Sequence, residues 1–174
     1  MKVAVTGTPG TGKTTVAKGL SEETDLKYVS VNKLAREKDC IISYDDRRES
    51  DVVDVKKLRN ETNDLENCVL DGHLSHFLAV DKVIVLRCKP SSLKDRLEGK
   101  GWDEDKVMEN VESEIAGIIE REARNSKERV YSIDTTDKSP KQVVDVIINI
   151  FEGEDDGVYS QYFDWIERDE VETL

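Results

Sequence analysis

The sequence predicts a three-layer α/β fold, with helices packed on a five-stranded parallel sheet. Three observations predict it. Five short, β-branched-rich runs alternate with segments whose apolar residues recur at helical spacing. The later runs are apolar and stop abruptly at polar residues, as strands buried on both faces do. The first run enters a glycine-rich turn and then a helix, and parallel strands need such helical crossovers, which are almost always right-handed.

Taken in order, residues 3–6 are the first strand, and Val16, Ala17 and Leu20 mark the buried side of the first helix. Residues 28–31 read as the second strand, 33–38 and 55–63 as short helices, and 68–70 and 83–86 as buried strands. A further short helix leads to residues 95–102. Val107, Met108, Val111, Ile115, Ile118 and Ile119 then define one long amphipathic helix, with Asp103 as its N-cap. Residues 130–133 are the last strand. Ser139-Pro140-Lys141-Gln142 opens the final core helix with a capping residue, a proline in the first turn and a glutamine three residues after the cap. The apolar residues of 143–151 suit its buried face. Residues 152–157 are a polar, glycine-flanked linker. Beyond it Val158, Tyr159, Tyr162, Phe163 and Ile166 recur at helical spacing, with Trp165 beside them. This predicts a terminal helix, either docked on its own domain or offered to a basic partner.

Composition narrows the function. A chain of 174 residues suggests one domain, and 37% apolar with 37% charged residues suits a soluble globular protein. The longest apolar runs fall far short of the about 18 consecutive residues a membrane helix needs. The first residues lack the pattern of a secretory signal. Cys40, Cys68 and Cys88 are odd in number and form no C-x-x-C pair, so reduced thiols and a cytoplasmic location are expected. The formal net charge is −12, and residues 152–174 hold nine acidic side chains against Arg168 alone, which leaves −4 for the rest. That balance argues against direct nucleic-acid binding and suits a basic partner.

Gly7-Thr8-Pro9-Gly10-Thr11-Gly12-Lys13-Thr14 matches G-x-x-x-x-G-K-[ST] between a strand and a helix, the context a phosphate-binding loop (P-loop) requires. The glycines let backbone N–H groups turn toward phosphate oxygens, and the helix N-terminus adds positive charge. Lys13 can reach the β- and γ-phosphates of ATP, and the Thr14 hydroxyl can hold Mg²⁺. Asp71, at the end of the third strand, can hold the Mg²⁺ shell directly or through water. Gly72 allows close approach of a ligand or backbone. On extended backbone His73 faces the same side as Asp71 and can orient a water or guide a proton. A metal pair between His73 and His76 lacks a third nearby ligand. Two glycines flank Lys100, so residues 95–102 suggest a flap in which Arg96 and Lys100 neutralise a transferring phosphoryl group or stack on a base. Arg36 is a candidate anchor for a second phosphate.

The P-loop, Val31-Asn32-Lys33-Leu34-Ala35-Arg36, Tyr44-Asp45, Val69-Leu70-Asp71-Gly72-His73 and the stretch 95–123, with Glu109-Asn110-Val111-Glu112, resemble the nucleoside monophosphate kinases. The likeness covers residues 1–151. It is greatest to the small archaeal and eukaryotic class that includes adenylate kinase isoenzyme six. Where ordinary adenylate kinases carry D-G-F-P-R, this chain has Asp71-Gly72-His73-Leu74-Ser75, the D-x-H form of that class. The resemblance implies a P-loop NTPase core with a monophosphate-binding insertion at 30–53 and a lid at 99–109. It places ATP on Gly10, Gly12, Lys13, Thr14, Thr15, Lys100 and Lys138, and the acceptor monophosphate, AMP or a relative, on Arg36 and Asn32. Lys100 stands where most relatives carry arginine, and the zinc-binding lid cysteines of some adenylate kinases are absent. Two activities follow from the resemblance, phosphoryl transfer from Mg·ATP to a monophosphate and ATP hydrolysis, with Lys13, Asp71, His73 and Arg96 as the candidate catalytic residues. Lys13, Arg96 and Lys100 would stabilise the γ-phosphoryl group, and His73 would orient water for hydrolysis. The class also assists late maturation of the small ribosomal subunit by binding a basic ribosomal protein. The alternative it leaves open is an ATPase assembly factor with little kinase turnover.

Overall fold

The computed structural model describes residues 1–46, 50–154 and 157–167. Along the chain, β1 (Lys2–Gly7) runs into α1 (Lys13–Glu23), and β2 (Lys27–Ser30) into α2 (Val31–Glu37). The strands β3 (Ile41–Asp45) and β4 (Ser50–Val53) lead to α3 (Val55–Glu61) and β5 (Cys68–Asp71). One 3₁₀ turn (Ser75–Phe77) precedes β6 (Lys82–Arg87), α4 (Pro90–Glu98), α5 (Glu104–Ile115) and α6 (Ile118–Ser126). The chain continues with β7 (Val130–Asp134) and α7 (Pro140–Glu152).

The five-stranded sheet has the order β2-β5-β1-β6-β7 and every pairing in it is parallel. Its central strand explains the three layers. Val3 and Val5 point to the side covered by α1 and α7, where Val16, Ala17, Leu20, Val143 and Ile147 complete a core. Ala4 points the other way, to Ala123 of α6. Both faces of β1 are therefore dry, and each fully buried valine or leucine adds about 1.5–3 kcal/mol. Smaller clusters hold α2 and α3 through Val31, Ala35 and Leu58, and join α4 to α5 through Leu93, Leu97, Val107 and Val111.

Local chemistry sets the helix starts as expected at two places. The Asp103 carboxylate accepts from Lys106 N at 3.0 Å, and Ser139 and Gln142 form a capping box. Elsewhere the structure corrects the sequence. The second strand ends at Ser30 and not at Val31, because the Ser30 hydroxyl caps α2 by accepting from Lys33 N. The expected helix through 107–119 breaks at Ala116-Gly117, where Gly117 takes φ 61°. A side chain at Gly117 would press on the Tyr162 hydroxyl and the Arg87 guanidinium. The antiparallel pair β3–β4 was not expected as strands; it lies inside the 30–53 region. Within 99–109 only the first residues form a turn, and Glu104 onward is already α5.

The largest departure is the C-terminal segment. Residues 157–167 form turns, bends and irregular chain, not a helix. Of the residues read as one apolar face, Val158, Tyr162 and Ile166 are exposed, whereas Phe163 and Trp165 are buried against their own domain. The spacing failed because buried hydrogen-bond partners, described below, hold this backbone in place of its own helical ladder. Asp155, Asp156, Arg168, Asp169, Glu170 and Glu172 of the acidic tail lie outside the described residues. No described helix is long and apolar enough to cross a membrane, and Cys40, Cys68 and Cys88 are buried and free.

Candidate active site

At the C-terminal end of the central strand, β1 gives way to the loop 7–14. Gly10 and Gly12 take φ 95° and 94°, a region that side chains rarely adopt. A Cβ at Gly10 would fall 2.7 Å from Leu93 and 2.9 Å from Leu97, so α4 packs directly on the loop. At Gly12 the space is open, since an added Cβ would meet nothing within 4 Å, and α1 begins at the next residue with its N-terminal amides lacking helical partners. The loop is fastened from within. The Thr8 carbonyl accepts from Thr11 Oγ1 at 2.8 Å and from Lys13 Nζ at 3.0 Å, and Thr135 Oγ1 donates to Thr11 O at 3.1 Å.

Parallel pairing brings Asp71 beside this loop, with Val5 of β1 and Ser30 of β2 in register with it. The Thr14 hydroxyl donates to Asp71 Oδ2 at 2.7 Å. Burial lowers the Lys13 pKa to about 8 despite the opposing charge of Asp71, and Lys100 pushes it the same way as burial does. Lys13, Asp71 and Lys100 thus act on one another across a small space. Thr14 and Asp71 offer hard oxygen donors and no sulfur or imidazole, a set that fits Mg²⁺ retaining waters and phosphate ligands. The open, amide-lined cradle at Gly12 with Lys13 fits the phosphates of ATP.

Several cavities border the loop, and two of them hold Arg96, Lys100, Lys138 and His73 between them. One, of about 400 Å³, is lined by Gly10, Gly12, Thr15, Arg96, Lys100 and Lys138. It gathers five of the seven residues expected to meet ATP, Gly10, Gly12, Thr15, Lys100 and Lys138, but not Lys13 or Thr14. Arg96 Nη2 donates to the carbonyls of Thr135 and Thr136, each at 3.1 Å, so this guanidinium also secures the loop after β7. The other cavity, of about 440 Å³, is lined by Pro9, His73, Trp102, Lys106 and Asn110 among others. His73 sits in a turn and not on extended backbone, and is exposed. Local burial and then the Lys13 charge lower its pKa, which keeps the ring neutral at pH 7. His76 points away into the core, with Nδ1 3.1 Å from Thr6 Oγ1, and no cluster of three or more metal-binding side chains occurs among the described residues. Gly72 does admit a close approach, but by Val31 of α2.

The acceptor residues are less completely assembled. Asn32 lies exposed in the first turn of α2, and Arg36 Nε is paired with Asp51 of β4 at 2.9 Å.

Sequence reasoning missed four residues. The Tyr28 hydroxyl donates to Asp71 Oδ2 at 2.9 Å, a contact visible only once β2 and β5 are known to be neighbours. Glu114, Arg87 and Thr8 form a buried chain: Thr8 Oγ1 donates to Glu114 Oε2 at 2.5 Å and Arg87 Nε to Glu114 Oε1 at 2.7 Å. A signal existed for Glu114, since it falls in the Val107–Val111 stripe, where an unpaired carboxylate is unfavourable.

A three-layer sheet with this loop, lysine and carboxylate defines a P-loop phosphotransfer protein. Residues 3–117 match a family described as AAA domain. A protein of Thermococcus onnurineus named "Putative adenylate kinase" is 44% identical over 150 residues, 86% of this chain and 83% of that protein. One of Methanocaldococcus jannaschii with the same name is 37% identical over 175 residues, 95% and 97% of the two chains. The chain belongs to this adenylate-kinase-like family of archaeal P-loop proteins. Its fold also matches a shikimate kinase of Acinetobacter baumannii with a TM-score of 0.65 at 17% identity, over 88% of this chain and 93% of that one.

Proposed function

We propose that the protein reversibly transfers the γ-phosphoryl group of Mg·ATP to AMP or another nucleoside monophosphate. One observation supports this reading: the Thr14 hydroxyl donates to Asp71 beside Lys13, on a loop whose Gly10 and Gly12 line a cavity together with Arg96, Lys100 and Lys138. The family relatives' names support it. Loop amides and Lys13 hold the donor phosphates, while Lys100 and Arg96 line the nucleoside side. Thr14 and Asp71 would hold Mg²⁺, which would neutralise charge on the β- and γ-oxygens. No protein nucleophile is required, because positioning and electrostatics provide most of the catalysis. Arg36 would receive the acceptor's phosphate after exchanging Asp51 for it. In this reading residues 30–53 form the acceptor region and 99–109 the lid.

Hydrolysis of ATP is a second reading, favoured by one feature. His73 is held below its usual pKa, is exposed, and lines the cavity that meets the loop at Pro9, where it can accept a proton from an attacking water. The ribosomal role and the basic ribosomal partner rest on the resemblance, and carboxylates suited to such a partner lie partly outside the described residues. The test is an assay of purified protein with Mg·ATP, with and without AMP, in which ADP and inorganic phosphate are measured separately. ADP formation that depends on AMP and leaves little free phosphate supports transfer. Phosphate release indifferent to AMP overturns it in favour of hydrolysis.

A further inference from the structure

We propose that residues 157–167 form a clamp that sets the conformation of the phosphate-binding loop, with Glu114 as the positioning residue between them. The proposal rests on the nucleotide-binding part of the function above and not on the identity of the acceptor.

The contacts form one continuous buried chain. Trp165 Nε1 donates to Glu114 Oε1 at 3.0 Å, and Thr8 donates to the other oxygen of the same carboxylate. Arg87 Nε and Cys88 N complete its shell, so Glu114 is held from four directions. The clamp's backbone is held as firmly. The Phe163 carbonyl accepts from Arg87 Nη1 at 2.8 Å, and Phe163 N donates to Glu120 Oε1 at 3.0 Å. Arg124 donates to the carbonyls of Ser160 and Gln161, and the Tyr159 carbonyl accepts from Ser132 N of β7 at 2.7 Å. Trp165 is 1% exposed and meets Phe163 edge to face at 4.6 Å.

Thr8 gives this chain its functional consequence. Its hydroxyl is fixed by Glu114, while its carbonyl holds both Thr11 and Lys13. A displacement of the Glu114 carboxylate therefore moves the residue that anchors the P-loop lysine. Buried charges tolerate little loss of partners, and without the indole N–H one oxygen of Glu114 loses one of its three donors. Covering the core would not require this wiring, because an apolar side chain at 165 would do so equally well.

Linkage makes the proposal testable in both directions: if the clamp favours the nucleotide-binding loop, bound nucleotide must favour the clamped segment by the same factor. The full-length protein is titrated with Mg·ADP by calorimetry, and exchange of the Trp165 indole and Phe163 amide hydrogens is followed with and without saturating Mg·ADP. Trp165→Phe, which keeps a ring and removes the donor, should weaken ADP binding by roughly threefold to tenfold, the order of one ordinary hydrogen bond, because the lost contact reaches the loop only through Glu114 and Thr8. Thr8→Val should also weaken it, and the double variant should lose less than the product of the two single losses. Local exchange of the indole hydrogen should slow when ADP binds. Wild-type affinity in Trp165→Phe, or local exchange indifferent to ADP, overturns the clamp. Should the variants fail to fold, the wild-type exchange measurement decides alone. A protein that shows the coupling but transfers no phosphoryl group to a monophosphate keeps the clamp and loses the transfer reading. Transfer without coupling does the reverse, and a wild-type protein that binds no ADP loses both.

Discussion

The Tyr28 hydroxyl donates to the same Asp71 oxygen that receives the Thr14 hydroxyl, at 2.9 and 2.7 Å. Asp71 is thereby aimed by a residue that itself offers no ligand position at the loop. Groups that orient a metal-binding carboxylate typically change metal affinity by about 10–100-fold when removed. Tyr28→Phe keeps the ring and deletes the donor. The expected result is a roughly tenfold higher Mg²⁺ requirement at saturating ATP, near the low end of that range because Thr14 still borders the site. A titration of activity against Mg²⁺ checks it, and an unchanged midpoint would remove Tyr28 from the site.

In the hydrolysis reading His73 orients the attacking water, so its loss should separate two activities that Lys13 serves alike. His73→Ala is expected to lower phosphate release without AMP by about 10²-fold or more, the usual scale for a positioned base, and transfer to AMP by much less. The acceptor brings its own phosphate oxygen and does not need a base to activate it. Parallel rates of ADP and phosphate formation in the variant check this, and equal losses would count against a water-orienting role.

Arg36 is ion-paired to Asp51, yet its side chain is 71% exposed, so the pair itself holds little energy. Asp51→Asn should leave thermal stability nearly unchanged and lower the KM for AMP several-fold, since Arg36 no longer has to leave a carboxylate. Arg36→Ala should raise the same KM by roughly tenfold or more, the loss of a charge-assisted hydrogen bond, with the KM for ATP unaffected. Steady-state kinetics on both variants test the opposite signs together.

What the chain disclosed about itself follows the range of each interaction. The P-loop, the caps at Asp103 and Ser139 and the buried strands depend on neighbours a few residues apart, so spacing reveals them. Asp71 was legible because it ends a buried strand. Tyr28 and Glu114 were not, since their partners lie 43 and 106 residues away and depend on strand order and helix docking. The C-terminal segment misled for the same reason. Its apolar spacing suits a helix, but Arg87, Glu120 and Arg124 occupy its backbone groups from a distance and hold it in an irregular path.

His76 links the fold to pH. Its ring is wholly buried, and Nδ1 meets Thr6 while Nε2 lies 3.3 Å from the Glu122 carboxylate without the geometry of a hydrogen bond. Burial, His73 and Lys127 together lower its pKa from 6.5 to about 4. The unfolded chain therefore binds a proton between pH 6.5 and 4 that the folded chain refuses, and stability falls as pH drops through that window. Above pH 6.5 the ring is neutral in both states and contributes no pH dependence. The full loss, reached near pH 4, is on the order of 3 kcal/mol. His76→Asn keeps a polar atom near Thr6 and does not titrate, so its denaturant midpoint should fall less steeply than the wild type's between pH 6.5 and 4.5. Carboxylates distant from the ring titrate alike in both proteins, so the difference between the two curves reports His76 together with its neighbour Glu122. Parallel curves would show that the buried ring takes up its proton as readily in the folded protein as in the unfolded one.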